Sequence, residues 1–460
     1  MRISARIAML AVALTLAIPP AGDLAVAKKK KGPQRPNILI FMTDDQRLDT
    51  LQVMPSVRKW FGQHGTTYSN AFVSNPLCCP SRGSLFTGRY PHNHGVIDNY
   101  TSANLVQRST LQSILRQRGY QTALVGKYFN GWKFGQPPPF FDRWAIQRSG
   151  YFGAKWNIDG KTRRIARYST DFTSARTRKY LRFFEKKDRK PWLMWVNPNA
   201  PHDPFQAAPR HTSSPVPPWD MSPAVGEEDE SDKPSWVDDA DLDAAGGESL
   251  RTAQLRTLMS VDQMVDRVMR SLGQLREQRR TLAIFVSDNG FFWAEHGLWD
   301  KRLPYTEAVQ VPMMMRWPGR VAKGAIDPRL VSLNDVVPTV LHAAGISARP
   351  FFPPDGRSLF VPGARDHVFI ESFRDKLAPY PPWASIRTDS IQYVEYYEDD
   401  LQTITFREYY DLENDPYQLD NLLEDGEPFN DPSNAELDEL SELVASGRRC
   451  SGSTGPNACP

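Results

Sequence analysis

Four short apolar runs recur along the chain, and polar side chains follow each of them. The runs cover residues 38–42, 122–126, 192–196 and 282–286. Unbroken apolar runs of this length are typical of strands buried on both faces of a parallel sheet. In open sheets of this kind, ligands bind beyond the carboxyl ends of the strands. We therefore predict that the polar residues after the runs meet at one site. These residues are Asp44, Asp45, Lys127, Asn197, His202, Asp288 and Asn289.

Apolar residues between the runs follow a helical spacing. Intervals of three or four separate most of the apolar residues from 255 to 272, and a second segment of this kind covers 336–344. Alternating strands and helices indicate a doubly wound α/β fold, with helices flanking a mixed, mostly parallel sheet. We predict one main domain over residues 36–346.

The pattern changes twice outside this alternation. Residues 206–249 are rich in Pro, Ser and acidic side chains, which predicts a long surface excursion. It is either a cover over the mouth of the site or a mobile, solvated loop. After residue 347, short aromatic-rich segments predict a smaller C-terminal subdomain over 347–449. We expect a small antiparallel sheet there, then a helix near 434–447 and a tail over 450–460.

The first residues have the pattern of a secretory signal peptide. Arg2 and Arg6 precede the apolar run 7–18, and Ala25-Val26-Ala27 resembles a cleavage site. The run is short for a membrane span, although a retained N-terminal anchor is the alternative. We predict a signal peptide over 1–27, a basic tail over 28–35, and a secreted chain with no later transmembrane segment. Export also favours a disulfide between Cys450 and Cys459.

Composition argues against three classes of protein: disordered chains, nucleic-acid binders and disulfide scaffolds. Hydrophobic residues make up 40% of the chain and charged residues 24%, which is typical of a folded globular protein. The formal net charge of +3 gives no basic excess for a nucleic-acid partner. Four cysteines are too few for a disulfide scaffold.

Two of the strand ends carry hard oxygen donors. Asp44-Asp45 follows the first run and Asp288-Asn289 follows the fourth. A single acidic pair is more often a helix cap. Two such pairs, each at the end of a strand, instead favour a divalent cation, Ca²⁺ or Mg²⁺.

A cysteine pair precedes a segment with anion-binding character. Pro80 suits the first position of a helix, which places Cys78 just before the helix N-terminus. Free amides at that end favour an anion, and Arg82 adds a bidentate donor for an oxyanion. These residues indicate either a nucleophile beside an anion cradle or a buried pair of adjacent cysteines.

The segment Cys78-x-Pro80-Ser81-Arg82, with Thr87-Gly88-Arg89 after it, resembles the signature of the type I sulfatases. Further matching segments are spread along almost the whole mature chain. They lie at 36–46, 125–128, 200–204, 287–290, 295–302, 311–312 and 410–416. Segments 77–82, 91–94 and 231–234 are similar to the group of N-acetylglucosamine-6-sulfatases and extracellular heparan 6-O-endosulfatases. The resemblance implies an alkaline-phosphatase-like α/β fold.

The resemblance also implies how the site works. In the family the first cysteine, here Cys78, is converted to Cα-formylglycine by a maturation enzyme. The aldehyde hydrate then ligates the metal and attacks the sulfur of a sulfate ester, and sulfate leaves when the aldehyde re-forms. The ligand set implied for Ca²⁺, with Mg²⁺ as the alternative, is Asp44, Asp45, residue 78, Asp288 and Asn289. Arg82, Lys127 and Lys301 would stabilise negative charge, and Lys301 or His202 would assist the leaving oxygen.

One departure from the family and several weaker candidates remain. Many arylsulfatases have a histidine two residues after the lysine, where this chain has Phe129. Additional site candidates are His92, His94 and His296, each of which packing or capping explains equally well. The aromatic run 291–293 shapes a substrate pocket or belongs to the core.

The expected substrate is a sulfated carbohydrate, such as 6-sulfated glucosamine, or an aryl sulfate. A phosphate or phosphonate ester hydrolase of the same superfamily is the nearest alternative. An inactive secreted glycan-binding protein is the second alternative.

Overall fold

The computed structural model describes residues 35–186, 190–238, 240–347, 352–376, 378 and 380–460. The predicted signal peptide and residues 28–34 of the predicted basic tail lie outside these ranges. Within the described part of the chain, none of the helices has the length and apolar character that crossing a membrane requires.

The strands fall into a large sheet, a two-stranded ribbon and a small C-terminal sheet. In chain order they are β1 Asn37–Thr43, β2 Thr66–Phe72, β3 Gln121–Gly126, β4 Arg143–Gln147, β5 Ala154–Ile158, β6 Lys161–Ile165, β7 Trp192–Asn197, β8 Thr281–Ser287, β9 Phe292–Trp293, β10 Trp299–Asp300, β11 Met313–Arg316, β12 Ala325–Ser332, β13 Val368–Ser372, β14 Trp383–Arg387, β15 Ile391–Tyr397 and β16 Ile404–Asp411.

The α-helices are α1 Pro55–Val57, α2 Cys78–Thr87, α3 Pro91–His94, α4 Leu111–Gln117, α5 Ser169–Glu185, α6 Ser235–Asp238, α7 Ala244–Gln274, α8 Thr306–Val309, α9 Val336–Ala343 and α10 Asn434–Arg449. Short 3₁₀ helices cover Leu48–Val53, Ser102–Asn104, Gln107–Ser109, Pro209–His211, Gln278–Arg280 and Leu333–Asp335, and a π-helical segment covers Arg58–Gln63.

The four predicted strands are the centre of the large sheet. Its order is β12-β2-β11-β8-β1-β7-β3-β4-β5-β6, and β8, β1, β7, β3 and β4 are mutually parallel. Alternate side chains of β1 enter two separate apolar clusters: Ile38 and Ile40 lie in one, and Leu39 and Phe41 in the other. Both faces are therefore covered, as the unbroken apolar runs predict. The expected α/β fold with a mixed, mostly parallel sheet is confirmed.

The predicted helices are present, with one boundary that differs. Helix α7 includes the periodic segment 255–272 but begins at Ala244, inside the predicted excursion. The reason is a local cap, because the Asp243 carboxylate accepts a hydrogen bond from the Gly246 amide at 2.8 Å. The excursion also contacts segments outside it: Val225 forms a bridge with Glu295, and Asn421 Nδ2 donates to the Asp232 carbonyl at 3.0 Å.

The C-terminal region has the expected architecture. Strands β13 to β16 form an antiparallel four-stranded sheet, and α10 packs against it. Cys450 and Cys459 are joined by a disulfide. The loop between them is held by Asp355, whose Oδ1 accepts a hydrogen bond from the Gly452 amide at 2.7 Å. The disulfide also contacts the main domain, because Asn93 Nδ2 donates to the Cys450 carbonyl at 2.8 Å.

Candidate active site

The carboxyl ends of β1 and β8 bring two pairs of oxygen donors together. Asp44 and Asp45 follow β1, and Asp288 and Asn289 follow β8, its parallel neighbour. The Asp45 amide donates to Asp288 Oδ1 at 3.1 Å, and Asn289 Nδ2 donates to Asp45 Oδ1 at 2.7 Å. Asp45 has a φ of 68°, a left-handed conformation that costs a non-glycine residue about 1 kcal/mol or more. These hydrogen bonds hold it there.

The resulting cluster has the composition of a hard-cation site. Single carboxylate oxygens of Asp44, Asp45 and Asp288 lie within 4.8 Å of one another, and all three residues are buried. The Asn289 Oδ1 atom is buried without a hydrogen-bond donor among the described residues. Carboxylate and amide oxygens are hard donors that Ca²⁺ and Mg²⁺ bind. The residues therefore fit a divalent cation.

The surroundings of the cluster shift the pKa values of Asp44 and Asp288 in opposite directions. Burial disfavours the Asp44 carboxylate, but Lys127 and neighbouring cations hold its pKa well below the usual range. Burial and the negative charge of Asp44 raise the pKa of Asp288 to about 7, against the opposing charge of Arg82. Asp288 thus carries an electrostatic penalty that a cation in the cluster would relieve.

Cys78 lies against this cluster. Its Sγ is 3.5 Å from Asp44 Oδ1 and 3.9 Å from Asp45 Oδ1, and the side chain is buried. Burial raises the pKa of the Cys78 thiol well above its usual range, although Lys127 and Lys301 act in the opposite direction. The unmodified side chain is therefore a neutral thiol near pH 7, a poor ligand for a hard cation.

Helix α2 begins two residues before its proline. Cys78 is its first residue and Pro80 its third, so the expectation that Pro80 opens the helix is wrong. Proline is tolerated there because the first amides of a helix have no acceptor within the helix. The Cys79 amide instead donates to Asn99 Oδ1 at 3.0 Å. Asn99 carries no sequence signal that could have identified it.

Arg82 serves the cluster differently from the expectation. Its Nε donates to Asp288 Oδ2 at 2.7 Å and its Nη1 to the Lys127 carbonyl at 3.1 Å. Only Nη2, 3.6 Å from Asp44 Oδ2, lacks a hydrogen-bond partner. A bidentate contact to a bound oxyanion is therefore not open to Arg82 in this conformation. The guanidinium joins the carboxylates to the loop after β3.

Three further predicted residues surround the same carboxylates. Lys127 Nζ is 2.6 Å from Asp44 Oδ2, and Lys301 Nζ is 2.5 Å from Asp45 Oδ1. His202 Nε2 is 3.8 Å from Asp45 Oδ2, and this imidazole is the most exposed of the three side chains. Gly126 precedes Lys127 with a φ of 115°, and a Cβ there would lie 1.7 Å from the Asn197 carbonyl oxygen. Glycine therefore allows β3 and β7 to end side by side.

The weaker candidates have structural partners elsewhere. His92 Nδ1 is 2.8 Å from Glu371, and His296 Nδ1 is 2.6 Å from Glu227. Burial lowers the pKa of His94 to about 3, and its Nε2 lies 3.1 Å from Ser84 Oγ. The aromatic run 291–293 is buried, so it belongs to the core.

The sequence that forms this site also matches a protein-family model. The model of the sulfatase family matches residues 36–346, more than half of the chain. The chain belongs to the sulfatase family. A second model, for the C-terminal region of N-sulphoglucosamine sulphohydrolase, matches residues 294–443. The predicted family and enzyme class are confirmed.

Relatives of this sulfatase include N-acetylglucosamine-6-sulfatases and extracellular sulfatases. It is 30% identical over 475 residues to the N-acetylglucosamine-6-sulfatase of Capra hircus, covering 88% of this chain and 83% of the relative. It is 30% identical over 355 residues to the extracellular sulfatase SULF-1 homolog of Drosophila melanogaster, covering 71% of this chain. This sulfatase spans less than half of the extracellular homologs, 31% of that one and 47% of another from Caenorhabditis elegans.

The sulfatase fold also matches solved structures. The structure of BT4656 in complex with its substrate D-glucosamine-2-N,6-O-disulfate superposes with a TM-score of 0.76 at 23% identity. The match covers 90% of this sulfatase and 97% of that chain. It confirms the alkaline-phosphatase-like fold.

Proposed function

We propose that this sulfatase hydrolyses the sulfate ester of a sulfated sugar, of the 6-sulfated glucosamine type, with formylglycine at position 78. One observation carries the proposal: Cys78 opens α2 with its Sγ 3.5 Å from a carboxylate of the buried acidic cluster. A modified side chain there would lie against the cation site. The names of the relatives, N-acetylglucosamine-6-sulfatase above all, support the substrate class.

The side chains of the cluster would hold the cation. Asp44, Asp45, Asp288, Asn289 and residue 78 are the proposed ligands, and Ca²⁺ is the preferred ion, with Mg²⁺ as the alternative. When bound, the cation lowers the cost of negative charge on oxygens beside it, and the formylglycine hydrate supplies a hydroxyl nucleophile. In the structure, three buried carboxylates face the buried positive charges of three basic side chains. The carboxylates are those of Asp44, Asp45 and Asp288, and the basic side chains are Arg82, Lys127 and Lys301.

The basic residues have separate tasks in this proposal. Lys127 and Lys301 place fixed positive charge beside the cluster, where it stabilises negative charge that develops on sulfuryl oxygens. Arg82 is a positioning residue, because its guanidinium fixes Asp288 and the carbonyl of Lys127. His202 is the more exposed candidate for giving a proton to the leaving oxygen, and Lys301 is the second candidate.

Export and maturation complete the proposal. A signal peptide cleaved near Ala27 would direct the chain outside the cytoplasm. The relative from Drosophila melanogaster is likewise named an extracellular sulfatase. A formylglycine-generating enzyme would act on Cys78. The proposed catalytic domain is 36–346 and the proposed C-terminal subdomain 347–449, with the disulfide loop after it.

A sulfate-release assay tests the function. We expect protein co-produced with a maturation enzyme to release sulfate from N-acetylglucosamine 6-sulfate, and to act on the matched phosphate ester at a far lower kcat/KM. Mass analysis of the Cys78 peptide should show the aldehyde in the active preparation. Faster phosphate ester hydrolysis would favour the esterase alternative. No turnover of any sulfated sugar or aryl sulfate by the modified protein would favour the inactive glycan-binding alternative.

Removal of divalent cations should destabilise the folded protein as well as inactivate it. A ligand that binds only the folded state stabilises it by about 2.7 kcal/mol at one hundred times its Kd. We expect the melting temperature to fall by a few degrees in chelator and to recover with Ca²⁺. An Asp171→Asn variant should behave like the parent, because Asp171 pairs with Arg210 and Arg267 away from the cluster. An Asn289→Ala variant should lose much of the recovery. Identical melting curves with chelator and with Ca²⁺ would contradict the cation site.

A further inference from the structure

Lys301 lies between two residues whose backbones have left-handed conformations. Asp300 has a φ of 75° and Arg302 has a φ of 96°. This region is unfavourable for a residue with a Cβ atom, so the conformation persists only where surrounding contacts impose it. The contacts that impose it on Asp300 and Arg302 also fix the backbone on both sides of Lys301.

A series of ion pairs leads from the acidic cluster through this segment. Lys301 Nζ lies 2.5 Å from Asp45 Oδ1 and 3.6 Å from Asp300 Oδ1. Arg302 Nη1 pairs with Asp300 Oδ2, and Arg302 Nε donates to Asp375 Oδ2 at 3.0 Å. Asp375 is thus connected to Lys301 through two charged side chains. We call Asp300, Arg302 and Asp375 the relay.

The relay is largely withdrawn from solvent. The exposed fraction of the side chain is 4% for Asp375, 13% for Arg302 and 23% for Asp300. Burial opposes the charge of the Arg302 guanidinium, but Asp300 and Asp375 outweigh it and raise its pKa above the usual value. Salt screens buried and partly buried pairs much less than exposed ones. These contacts therefore keep their strength at physiological ionic strength.

The C-terminal part of the chain also fixes the backbone of Arg302. Trp383, the first residue of β14, is buried, and its Nε1 donates to the Arg302 carbonyl at 2.8 Å. Asp375 follows β13, so both of these partners belong to the proposed C-terminal subdomain. The left-handed segment that carries Lys301 is therefore held from that subdomain.

A lysine needs such support to hold its charge in one place. Its ammonium is carried on a flexible four-carbon stem, so the backbone alone does not determine the position of Nζ. Asp300 adds a second carboxylate beside the one from Asp45, and two carboxylates restrict the ammonium more than one. Precision matters here, because a misplacement of about 1 Å in an active site can cost about 100-fold in rate.

We propose that Asp375 and Arg302 are positioning residues that fix Lys301 in the active site through Asp300. They act on the lysine and need no contact with the substrate. The inference rests on the proposed function, in which Lys301 stabilises negative charge on the sulfuryl oxygens. It gives the C-terminal subdomain a part in the reaction, through the placement of one lysine of the main domain.

A double-mutant cycle tests the relay, with formylglycine-containing enzyme and N-acetylglucosamine 6-sulfate. Asp375→Asn and Arg302→Gln should each lower kcat by about 10- to 100-fold and leave KM within about threefold. The double variant should be at most about twofold slower than the slower single variant, because either change breaks the same connection. Calcium-dependent melting should match that of the parent, because none of the proposed ligands is altered.

Asp399→Asn is the matched control. Asp399 pairs with Arg374, one residue before Asp375, and both side chains of this pair are exposed. The exchange should keep kcat and KM within about twofold, because an exposed ion pair contributes little.

Arg302→Lys tests the relay with the charge retained, in case its removal impairs folding. A single ammonium cannot contact Asp300 and Asp375 with the geometry of a guanidinium. The same loss of kcat at a retained KM is expected, and the melting temperature provides the check on folding.

The outcomes separate the relay from the proposed function. Parental kcat in Asp375→Asn, a change confined to KM, or single effects that multiply in the double variant would each overturn the relay. If formylglycine-containing parent enzyme released sulfate from no sulfated sugar or aryl sulfate, the proposed function itself would fail, and the relay with it.

Discussion

Replacing Cys78 with alanine is expected to reduce kcat for sulfate release by at least about 10⁴-fold, the scale of losing a covalent nucleophile. Residue 78 is the only proposed nucleophile, and its Sγ lies against Asp44 and Asp45. The fold should survive, because alanine removes a single atom and keeps the helix. Steady-state kinetics, with calcium-dependent melting as the measure of an intact cluster, provides the test.

Cys79 provides the matched control. Its sulfur accepts a hydrogen bond from the Asn130 amide at 3.2 Å, and its other hydrogen-bond partners among the described residues are the carbonyls of Asn99 and Asn130, outside the acidic cluster. Cys79→Ala should therefore keep kcat within about tenfold, with a moderate loss of stability. Turnover by Cys78→Ala within that same tenfold window would rule out a nucleophile at position 78.

Replacing Arg82 with lysine is expected to lower kcat by about 100-fold or more, although the charge is preserved. Arginine reaches Asp288 and the Lys127 carbonyl at once, whereas a single ammonium cannot hold both in the same geometry. The loss should include weaker Ca²⁺ binding, because Asp288 is then no longer fixed. Kinetics at saturating Ca²⁺ and a calcium titration of melting would measure the two effects.

Arg116→Lys is the control for this exchange. Arg116 pairs with Asp142 at 2.8 Å on the surface, where an ion pair contributes at most about 1 kcal/mol. Its exchange should change neither kcat nor calcium affinity. If Arg82→Lys retained parental values for both, the guanidinium geometry would have no role in the site.

The centre of the fold could be predicted because its signals are local. The four runs that became β1, β3, β7 and β8 are buried on both faces, so their composition alone identifies them. The edges of the sheet gave no such signal. Strand β6, Lys161–Ile165, is almost entirely exposed and charged, so no apolar pattern marks it. Strand β4, Arg143–Gln147, was missed as well.

In the site, too, features marked by a local sequence pattern could be predicted, and features without one could not. Placement at strand ends was enough to bring Asp44, Asp45, Lys127 and Asp288 together, because parallel strands end at one edge. The role of Arg82 was not accessible in this way. Which nitrogen meets which oxygen depends on side-chain geometry between residues more than 200 positions apart in the chain.

The burial of Cys78 also limits when this residue could be modified. All ten residues of α2 are buried, and the Cys78 side chain is 1% exposed. An enzyme that oxidises this sulfur has to reach it, and the packed helix leaves the sulfur almost no accessible surface. Conversion would have to precede folding, while the nascent chain is still accessible. A molecule that folds first would keep its thiol for as long as it stays folded, so the active fraction would be decided once, during biosynthesis.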